Sequence, residues 1–362
     1  MYIFLYILPA RIKLEIVKDW RSLPRTIGKR GSDMMYATGN KKMLNMLILE
    51  ILKEYTDENH RLTQMEMIQL LEKNYGMTCD RRSVRANIDS LKELGYEIVT
   101  DKGYYLLERD FDDAELRLLI DSILSSKGVS QNQATRLIKK LVKQGNRYFH
   151  AKVKHIANLP KMRHSDNTVV MKNVEVLNDA IEKKRQVKFI YNGYNTSFKL
   201  VPKRDEPYVV NPYQMVVCNG WYYLICNTEN HDNVSHYRID KMTAVEIVDK
   251  PAKDKRLVDD FVNGYSLPKH MAEHIYMFGG STIEVKFQTG KYLMDQLVDW
   301  FGRDFSVKLL NDEDMLVTVK CNESAIKYWV LQYIEHVEIL APAGLRQQIA
   351  KVLKDSLQAY EK

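Results

Sequence analysis

Cysteine is scarce in this sequence, and none of it is paired at short spacing. The four cysteines are Cys79, Cys218, Cys226 and Cys321, and no two of them form a Cys-x-x-Cys pair. Zinc knuckles use such pairs, and disulfide frameworks are typical of short secreted chains rather than of a chain of 362 residues. We therefore expect free thiols in a reducing compartment, which indicates a cytoplasmic protein.

Long hydrophobic runs are also missing. The apolar stretch at the N-terminus, residues 1–9, is shorter than the roughly 20 residues that a membrane-spanning helix needs. It also lacks the basic start of a secretory signal peptide. The sequence therefore predicts no transmembrane segment and no membrane partner.

Signatures of catalysis are lacking as well. The chain has no Gly-rich phosphate loop, no Gly-x-Ser-x-Gly elbow and no His-Glu-x-x-His helix. One segment, His270 to His274, matches the inverted metalloprotease pattern His-x-x-Glu-His, but it follows Pro268 in a linker, and such short patterns recur by chance. We therefore predict a protein that is not an enzyme, with no catalytic residues, no metal and no cofactor.

What remains is a long chain of ordinary globular composition. It is longer than one typical domain of about 100–200 residues, so we expect several domains. The residues are 45% hydrophobic and 28% charged, which argues against wholesale disorder. The net charge of +7 suggests an anionic partner, yet residues 1–33 carry +4 of it. Binding of nucleic acid must therefore come from local clusters of basic residues.

Residues 1–33 share no pattern with the rest of the chain. The run Lys29-Arg30-Gly31 can be encoded by a purine-rich stretch like a bacterial ribosome-binding site, shortly before Met34 and Met35. One interpretation is a start assigned too early, with Met34 or Met35 as the true first residue. The other is a genuine helical arm. Mass spectrometry of the native protein decides, because a peptide spanning residues 10–30 would show that these residues are translated and would exclude a true start at Met34 or Met35.

Residues 34–109 have the pattern of a winged helix-turn-helix domain. A first helix is predicted from Lys41 to Tyr55, because apolar residues recur there at helical spacing. The capping box that begins at Thr63 starts a second helix, and Asp80 caps a third. Two short strands then flank the turn at 101–103 and predict a hairpin. Three small helices and a hairpin form a common DNA-binding fold.

Basic residues gather at the start of the third of these helices. The first turns of a recognition helix face the major groove, where arginine can pair with guanine or with phosphate. A lysine at the tip of the hairpin can reach the phosphate backbone. The alternative is an ordinary solvated helix face. The sequence predicts contacts with double-stranded DNA from Arg81, Arg82, Ser83, Arg85 and Lys102.

The rest of the chain divides into a helical connector, a β-rich domain and an α+β domain. Residues 110–169 hold two predicted amphipathic helices. Residues 170–250 begin with a helix and continue as short antiparallel strands, with a tight turn at Asn219-Gly220, which predicts a small barrel. After a linker at 251–281, strands and helices alternate over 282–362. The predicted fold class is multidomain α+β.

Two motifs in the predicted barrel resemble those of WYL domains. Residues 219–225, Asn-Gly-Trp-Tyr-Tyr-Leu-Ile, are similar to the Trp-Tyr-Leu signature, and residues 235–242, Ser-His-Tyr-Arg-Ile-Asp-Lys-Met, to the second motif of the family. The tryptophan of the family aligns with Tyr222, one place after Trp221, so which aromatic residue faces a ligand stays open. Residues 276–280 and the α+β unit after them resemble the C-terminal WCX extension. The resemblance covers residues 41–362.

This resemblance implies a bacterial transcriptional regulator with a winged helix-turn-helix, an Sm-like WYL barrel and a WCX-like C-terminal domain. In that family the barrel is viewed as a sensor of nucleotides or nucleic-acid fragments, and the extension commonly contributes to a homodimer. Tyrosine rings and basic side chains suit stacked bases and phosphates. The ligand-binding residues implied by the match are Tyr191, Tyr213, Tyr223, His236, Arg238 and Lys241.

Two points stay open beside that interpretation. A second class of function is a nucleic-acid-binding accessory protein of a defence system, which would act on RNA or on a protein partner through the barrel. An arginine in a short apolar strand also needs an anion or an acidic partner. Asp240 lies two residues after Arg238 and is a candidate for that partner.

Overall fold

The computed structural model describes residues 43–153 and 167–361, apart from positions 232, 259, 260, 262, 263 and 265. The segment 1–33 and the predicted start of the first helix at Lys41 lie outside the described residues. The chain divides into two compact units. The described parts of the first unit are residues 43–125 and 132–153, and those of the second are residues 126–131 and 167–361.

The first unit begins with three helices and a hairpin in the predicted order. The Thr63 hydroxyl accepts from the backbone N–H of Glu66, whose carboxylate accepts in return from Thr63, so the predicted capping box is formed. Asp80 caps the third helix by accepting from the N–H of Ser83 at 2.7 Å. The elements are α1 (Leu44–Tyr55), α2 (Gln64–Tyr75), α3 (Arg81–Glu93), β1 (Ile98–Val99) and β2 (Tyr105–Leu106).

The described part of the first unit holds three further helices, where the sequence predicted two. The extra one is short, and Asn146 caps it by accepting from the N–H groups of Tyr148 and Phe149. Arg109 binds the C-terminal carbonyls of α1, with Nη1 2.7 Å from Lys53 O and Nη2 2.6 Å from Thr56 O. These bonds satisfy carbonyls that a helix end leaves unpaired. The helices are α4 (Asp113–Ser125), α5 (Gln131–Val142) and α6 (Arg147–Val153).

The second unit opens with a helix packed on a six-stranded antiparallel sheet. Val170, Leu177 and Ala180 of the helix are buried against Phe189 and Leu224 of the sheet. The strands are hydrogen-bonded in the order β4-β3-β5-β6-β7, and β8 pairs with β3. The elements are α7 (Val170–Glu182), β3 (Arg185–Tyr194), β4 (Leu200–Pro202), β5 (Tyr208–Cys218), β6 (Trp221–Asn227), β7 (Ser235–Arg238) and β8 (Met242–Pro251).

A second sheet lies in the C-terminal part of this unit, with strand order β10-β11-β9-β12. Helices cover it around a core centred on Trp329, which is fully buried with Phe287 and Phe301. A short helix also stands in the predicted linker. The elements are α8 (Leu267–Glu273), β9 (Thr282–Gly290), α9 (Met294–Phe301), β10 (Phe305–Leu309), β11 (Asp314–Asn322), α10 (Glu323–Gln332), β12 (Val337–Ala341) and α11 (Ala343–Tyr360).

The mixed α+β organisation predicted from the sequence is therefore confirmed, with separate helical and sheet-containing parts. Strand β8 was not predicted, because most of its side chains are exposed and its apolar residues do not alternate. The domain boundaries and the Sm-like character of the barrel stay predictions. Among the described residues, no helix is both long and apolar enough to cross a bilayer.

Candidate functional site

Arg238 stands at the end of β7 in a fixed geometry. Its Nε donates to Oδ1 of Asp240 at 3.0 Å, and its Nη2 donates to Oδ2 at 2.8 Å. The Asp240 side chain is 2% exposed, while that of Arg238 keeps 20% of its surface in solvent. The partnership expected from the sequence is therefore formed. The bond to Asp240 uses the Nε–H and one Nη2–H donor, so the two Nη1–H donors and the second Nη2–H donor are left for an anion.

The Trp221 ring stacks against the flat face of the Arg238 guanidinium. The Arg238 guanidinium carbon lies 3.4 Å from the centre of the Trp221 ring, which is a cation–π contact. The ladder between β6 and β7 places Tyr223 directly opposite Arg238. Since alternate residues of a strand share a face, Trp221 and Tyr223 lie on the face of Arg238, whereas Tyr222 packs against the core shared with α7. Trp221 and Tyr223 are thus the aromatic residues on the face of Arg238, and which of them meets a ligand stays a prediction.

Further cations gather around Tyr191. The Tyr191 hydroxyl accepts from the Arg238 backbone N–H at 3.3 Å, and burial raises its pKa to about 12, so the group stays neutral. The Lys203 ammonium lies 5.3 Å from the centre of the Tyr191 ring. Burial, followed by the nearby charge of Arg238, lowers the pKa of Lys241, and Lys203 acts in the same direction. Three cations and one carboxylate leave this cluster with a net positive charge, which favours an anionic ligand.

A loop from an earlier part of the chain supports the turn beside Trp221. The Gly220 carbonyl accepts from the N–H groups of Lys127 at 2.8 Å and Gly128 at 3.0 Å. A Cβ atom at position 128 would lie 3.1 Å from the Tyr222 ring, so the ring or the loop would have to shift by a few tenths of an ångström to admit a side chain there. No local pattern in the sequence signals this contact between residues about 90 positions apart.

Tyr213 and His236, two of the predicted ligand residues, have other partners. The Tyr213 hydroxyl donates to the Lys253 carbonyl at 3.1 Å, and its ring meets Phe261 edge-on. His236 Nε2 lies 2.8 Å from His270 Nε2. The structure therefore brings together Tyr191, Tyr223, Arg238 and Lys241. It adds Trp221 and Lys203, which the sequence analysis did not select, and the ligand role of Tyr213 and His236 stays a prediction.

Two histidines near β7, His236 and His270, are uncharged at neutral pH because their pKa values are lowered. Burial, followed by the neighbouring His274 and His270, lowers the pKa of His236 to about 2. Burial and then His274 lower the pKa of His270 to about 3. Neither group is protonated near neutral pH, so neither adds a positive charge to the anion site.

The predicted DNA-binding residues of α3 are displayed on one side of the helix. Arg82 and Arg85 are exposed, whereas Val84 and Ile88 on the opposite side are buried in the three-helix core. Arg81 is also exposed, and its Nε donates to the sulfur of Met65 on α2 at 3.3 Å. The stripe that holds the helix on the core therefore leaves the arginines facing solvent.

The hairpin tip with Lys102 is anchored by a residue that sequence analysis missed. Lys102 is exposed and has a positive φ of 52°. Arg61 Nη1 donates to the Asp101 carbonyl at 2.7 Å, and its guanidinium stacks on Tyr105 at 4.9 Å. Gly103 has a φ of 121°, and a Cβ there would lie 3.0 Å from the Arg61 Cβ. This packing holds the tip in one place, although 40 residues separate Arg61 and Asp101.

Comparison with protein families gives two matches. The WYL domain model matches residues 172–247, which include β3 to β7 and the Arg238 site. The WCX domain model matches residues 282–357, which hold the second sheet and its helices. A search of curated proteins finds no match to the chain.

Two solved structures are distantly similar to the chain. Proteasome accessory factor B/C (PafBC) of Arthrobacter aurescens is 16% identical, with a TM-score of 0.30 over 89% of this chain and 49% of that one. The chain thus spans about half the length of PafBC. A CRISPR Cas-related protein is 14% identical, with a TM-score of 0.36 over 96% of this chain and 90% of that one. Both TM-scores are too low to establish a shared arrangement of the whole chain.

Proposed function

We propose that this chain, which carries a WYL domain at residues 172–247 and a WCX domain at residues 282–357, is a ligand-responsive bacterial transcriptional regulator. It binds double-stranded DNA through α1–α3 and the β1–β2 hairpin, as a winged helix-turn-helix domain. It senses a nucleotide or a short single-stranded nucleic acid through its WYL domain, and it acts as a homodimer in the cytoplasm. It catalyses no reaction.

The Arg238 site is the observation that carries this proposal. Bidentate binding of a phosphate requires a guanidinium in a fixed orientation. The bidentate bond to Asp240 and the stacking on Trp221 fix the orientation of the Arg238 guanidinium. Lys203 and Lys241 add positive charge on a cluster that contains one carboxylate. The neighbouring tyrosines offer rings on which a base can stack. A ligand that contains both a phosphate and a base therefore matches both the cations and the aromatic rings of the site.

The DNA-binding part of the proposal rests on α3. Its exposed arginines stand at the N-terminal end of the helix, the end that recognition helices present to base edges. The hairpin presents Lys102 on a tip held by Arg61, as a contact with the phosphate backbone requires. The region is close to electrically neutral as a whole, so affinity depends on these few residues.

The test of this function measures the binding of ligand and the binding of DNA by the same preparation of the protein. The full chain is titrated with a nucleoside diphosphate and with ten-nucleotide single strands of DNA and RNA, and tryptophan fluorescence is recorded. Binding over Arg238 should change the emission of Trp221, and the change should vanish in Trp221→Phe. Gel shifts with the upstream DNA of the gene should then respond to the same ligand. Tight binding of single-stranded RNA, with no binding of any promoter fragment at low salt, would favour the accessory protein instead.

Lys203→Ala is expected to weaken the binding of such a ligand by about tenfold, since one charge-assisted contact to phosphate contributes roughly 1.5 kcal/mol. The fold should be unaffected, because the lysine is exposed. The fluorescence titration measures the change. Lys172→Ala on α7 is the matched control, since it removes the same charge from an exposed helix position. Equal ligand affinities of the two variants would show that Lys203 does not contact the ligand.

A further inference from the structure

A second arginine of the WYL domain is held in place in much the same way as Arg238. The Arg204 guanidinium carbon lies 3.5 Å from the centre of the Tyr208 ring, which is a cation–π contact. Its Nε donates to the Glu206 carbonyl and its Nη2 to the Pro207 carbonyl, both at 3.0 Å. These contacts fix the orientation of the guanidinium and leave both Nη1–H donors and the second Nη2–H donor for an anion. The sequence analysis did not select this residue.

The two arginines differ in the charge of their acceptors. Arg238 binds the carboxylate of Asp240, whereas Arg204 binds two neutral carbonyls. Asp205 and Glu206 follow in the sequence, but within the described part of the chain their carboxylates form no ion pair with Arg204. Arg204 is also exposed, so its positive charge is available to a ligand from solvent.

A cluster of tyrosines lies between the two guanidinium groups. The ring centres of Tyr191 and Tyr208 are 5.9 Å apart, and the Tyr237 ring lies 5.0 Å from the first and 5.5 Å from the second. Tyr208 carries the Arg204 guanidinium, while the Tyr191 hydroxyl accepts from the backbone N–H of Arg238 at 3.3 Å. The two arginines therefore belong to different ends of one aromatic cluster.

Lys203 adds a cation along this cluster. Its ammonium lies 5.3 Å from the centre of the Tyr191 ring, and its backbone N–H donates to the Tyr191 carbonyl at 3.0 Å. Gly193 leaves room for its side chain, since a Cβ atom at that position would lie 3.2 Å from Lys203 Cε. Lys203 directly precedes Arg204 in the chain, and both side chains are exposed. A row of cations thus follows the tyrosines, and such a row suits a chain of anions.

We propose that Arg204 forms a second phosphate site, and that the ligand of this domain carries at least two phosphates separated by a sugar, as in a dinucleotide or a longer single strand. One phosphate binds Arg238 and another binds Arg204, with Lys203 close to the backbone between them. This inference rests on the proposed function and narrows its ligand class. A guanidinium in a fixed orientation is the donor that phosphate binds best.

The separation of the two arginines favours phosphates that are not adjacent. The phosphates of a nucleoside diphosphate share an oxygen and therefore reach one anion site together. Successive phosphates of a strand are separated by a sugar, so they can occupy two sites on either side of an aromatic cluster. Single strands also leave their bases unpaired, and such bases stack on tyrosine rings or on guanidinium planes.

The test compares probes that have the same number of phosphates in different positions. Thymidine diphosphate is compared with the 5′-phosphorylated dinucleotide pTpT, and uridine diphosphate with pUpU, by the Trp221 fluorescence of the full chain. We expect the wild type to bind one dinucleotide about tenfold more tightly than its diphosphate, because a second charge-assisted contact to phosphate is gained. The pair with the larger difference shows whether the site prefers DNA or RNA.

Variants of Arg204 assign the difference to this residue. Arg204→Ala should bind the preferred dinucleotide about tenfold more weakly and the diphosphate about as the wild type does, which shows that the Arg238 site is intact. Arg204→Lys should recover part of the loss, since it keeps the charge without the planar fork. Arg256→Ala is the matched control, because it removes an exposed arginine from the same unit, and it should keep the full preference.

The outcomes separate this inference from the proposed function. Equal binding of dinucleotide and diphosphate by the wild type would overturn the second phosphate site and leave the proposed function standing. An Arg204→Ala variant that keeps the preference, or that loses both probes equally, would also overturn it. Binding of none of the four probes by the wild type would refute the proposed ligand and this inference together.

Discussion

Replacing Arg238 with alanine is expected to lower the free energy of unfolding of the second unit by about 3 kcal/mol. The reason is the carboxylate that remains. Asp240 is 2% exposed, and both of its oxygens accept hydrogen bonds from Arg238. Without the guanidinium, a negative charge stays buried with no cation to balance it. For a unit of this size, differential scanning calorimetry should show a transition lower by roughly 10 °C.

A double variant separates this structural effect from the loss of ligand binding. Arg238→Gln with Asp240→Asn removes both charges and keeps a polar side chain that can form hydrogen bonds at each position. We expect it to recover at least half of the lost stability, because replacing both members of a buried pair costs far less than removing one. The fluorescence response to nucleotides should nevertheless stay absent. A double variant no more stable than Arg238→Ala would show that the pair contributes nothing as a pair.

Removing two arginines from α3 should strongly weaken the binding of DNA. Arg82→Ala with Arg85→Ala is expected to weaken binding to double-stranded DNA about 100-fold, at roughly 1–3 kcal/mol for each specific contact. If both arginines contact phosphates instead, the slope of log K against log salt should become shallower by about two. Fluorescence anisotropy of a labelled operator fragment at several salt concentrations measures both quantities.

The fold should survive this double change, which makes the experiment decisive. Neither Arg82 nor Arg85 forms an ion pair within the described residues, and the buried stripe of α3 lies on the other side of the helix. Lys92→Ala is the matched control, because it removes a charge from the last turn of the same helix. If the double variant and the control bind duplex DNA equally well, the arginines form only a solvated surface and DNA is bound elsewhere.

Local features of the sequence were enough to predict much of the secondary structure. The capping box at Thr63, the cap at Asp80 and the turn at Asn219-Gly220 lie where expected, because each involves bonds between residues only a few positions apart. The pairing of Arg238 with Asp240 was predictable for the same reason. Helices α6 and α8 and strand β8 were missed, since each of these helices has only seven residues and the strand is mostly exposed.

The sequence by itself determined most of the helices and strands in their order, the two domain motifs, and Arg238 and Lys241 as basic residues of the site, because these depend on short-range spacing. Only the tertiary structure decided which residues meet. Strand register placed Trp221 under Arg238, and the pairing of β3 with β4 brought Lys203 to Tyr191. Packing of α8 on β7 gathered the three histidines. These contacts join residues 12 to 38 positions apart, and their partners are selected by burial and hydrogen bonding across the folded chain rather than by any local pattern.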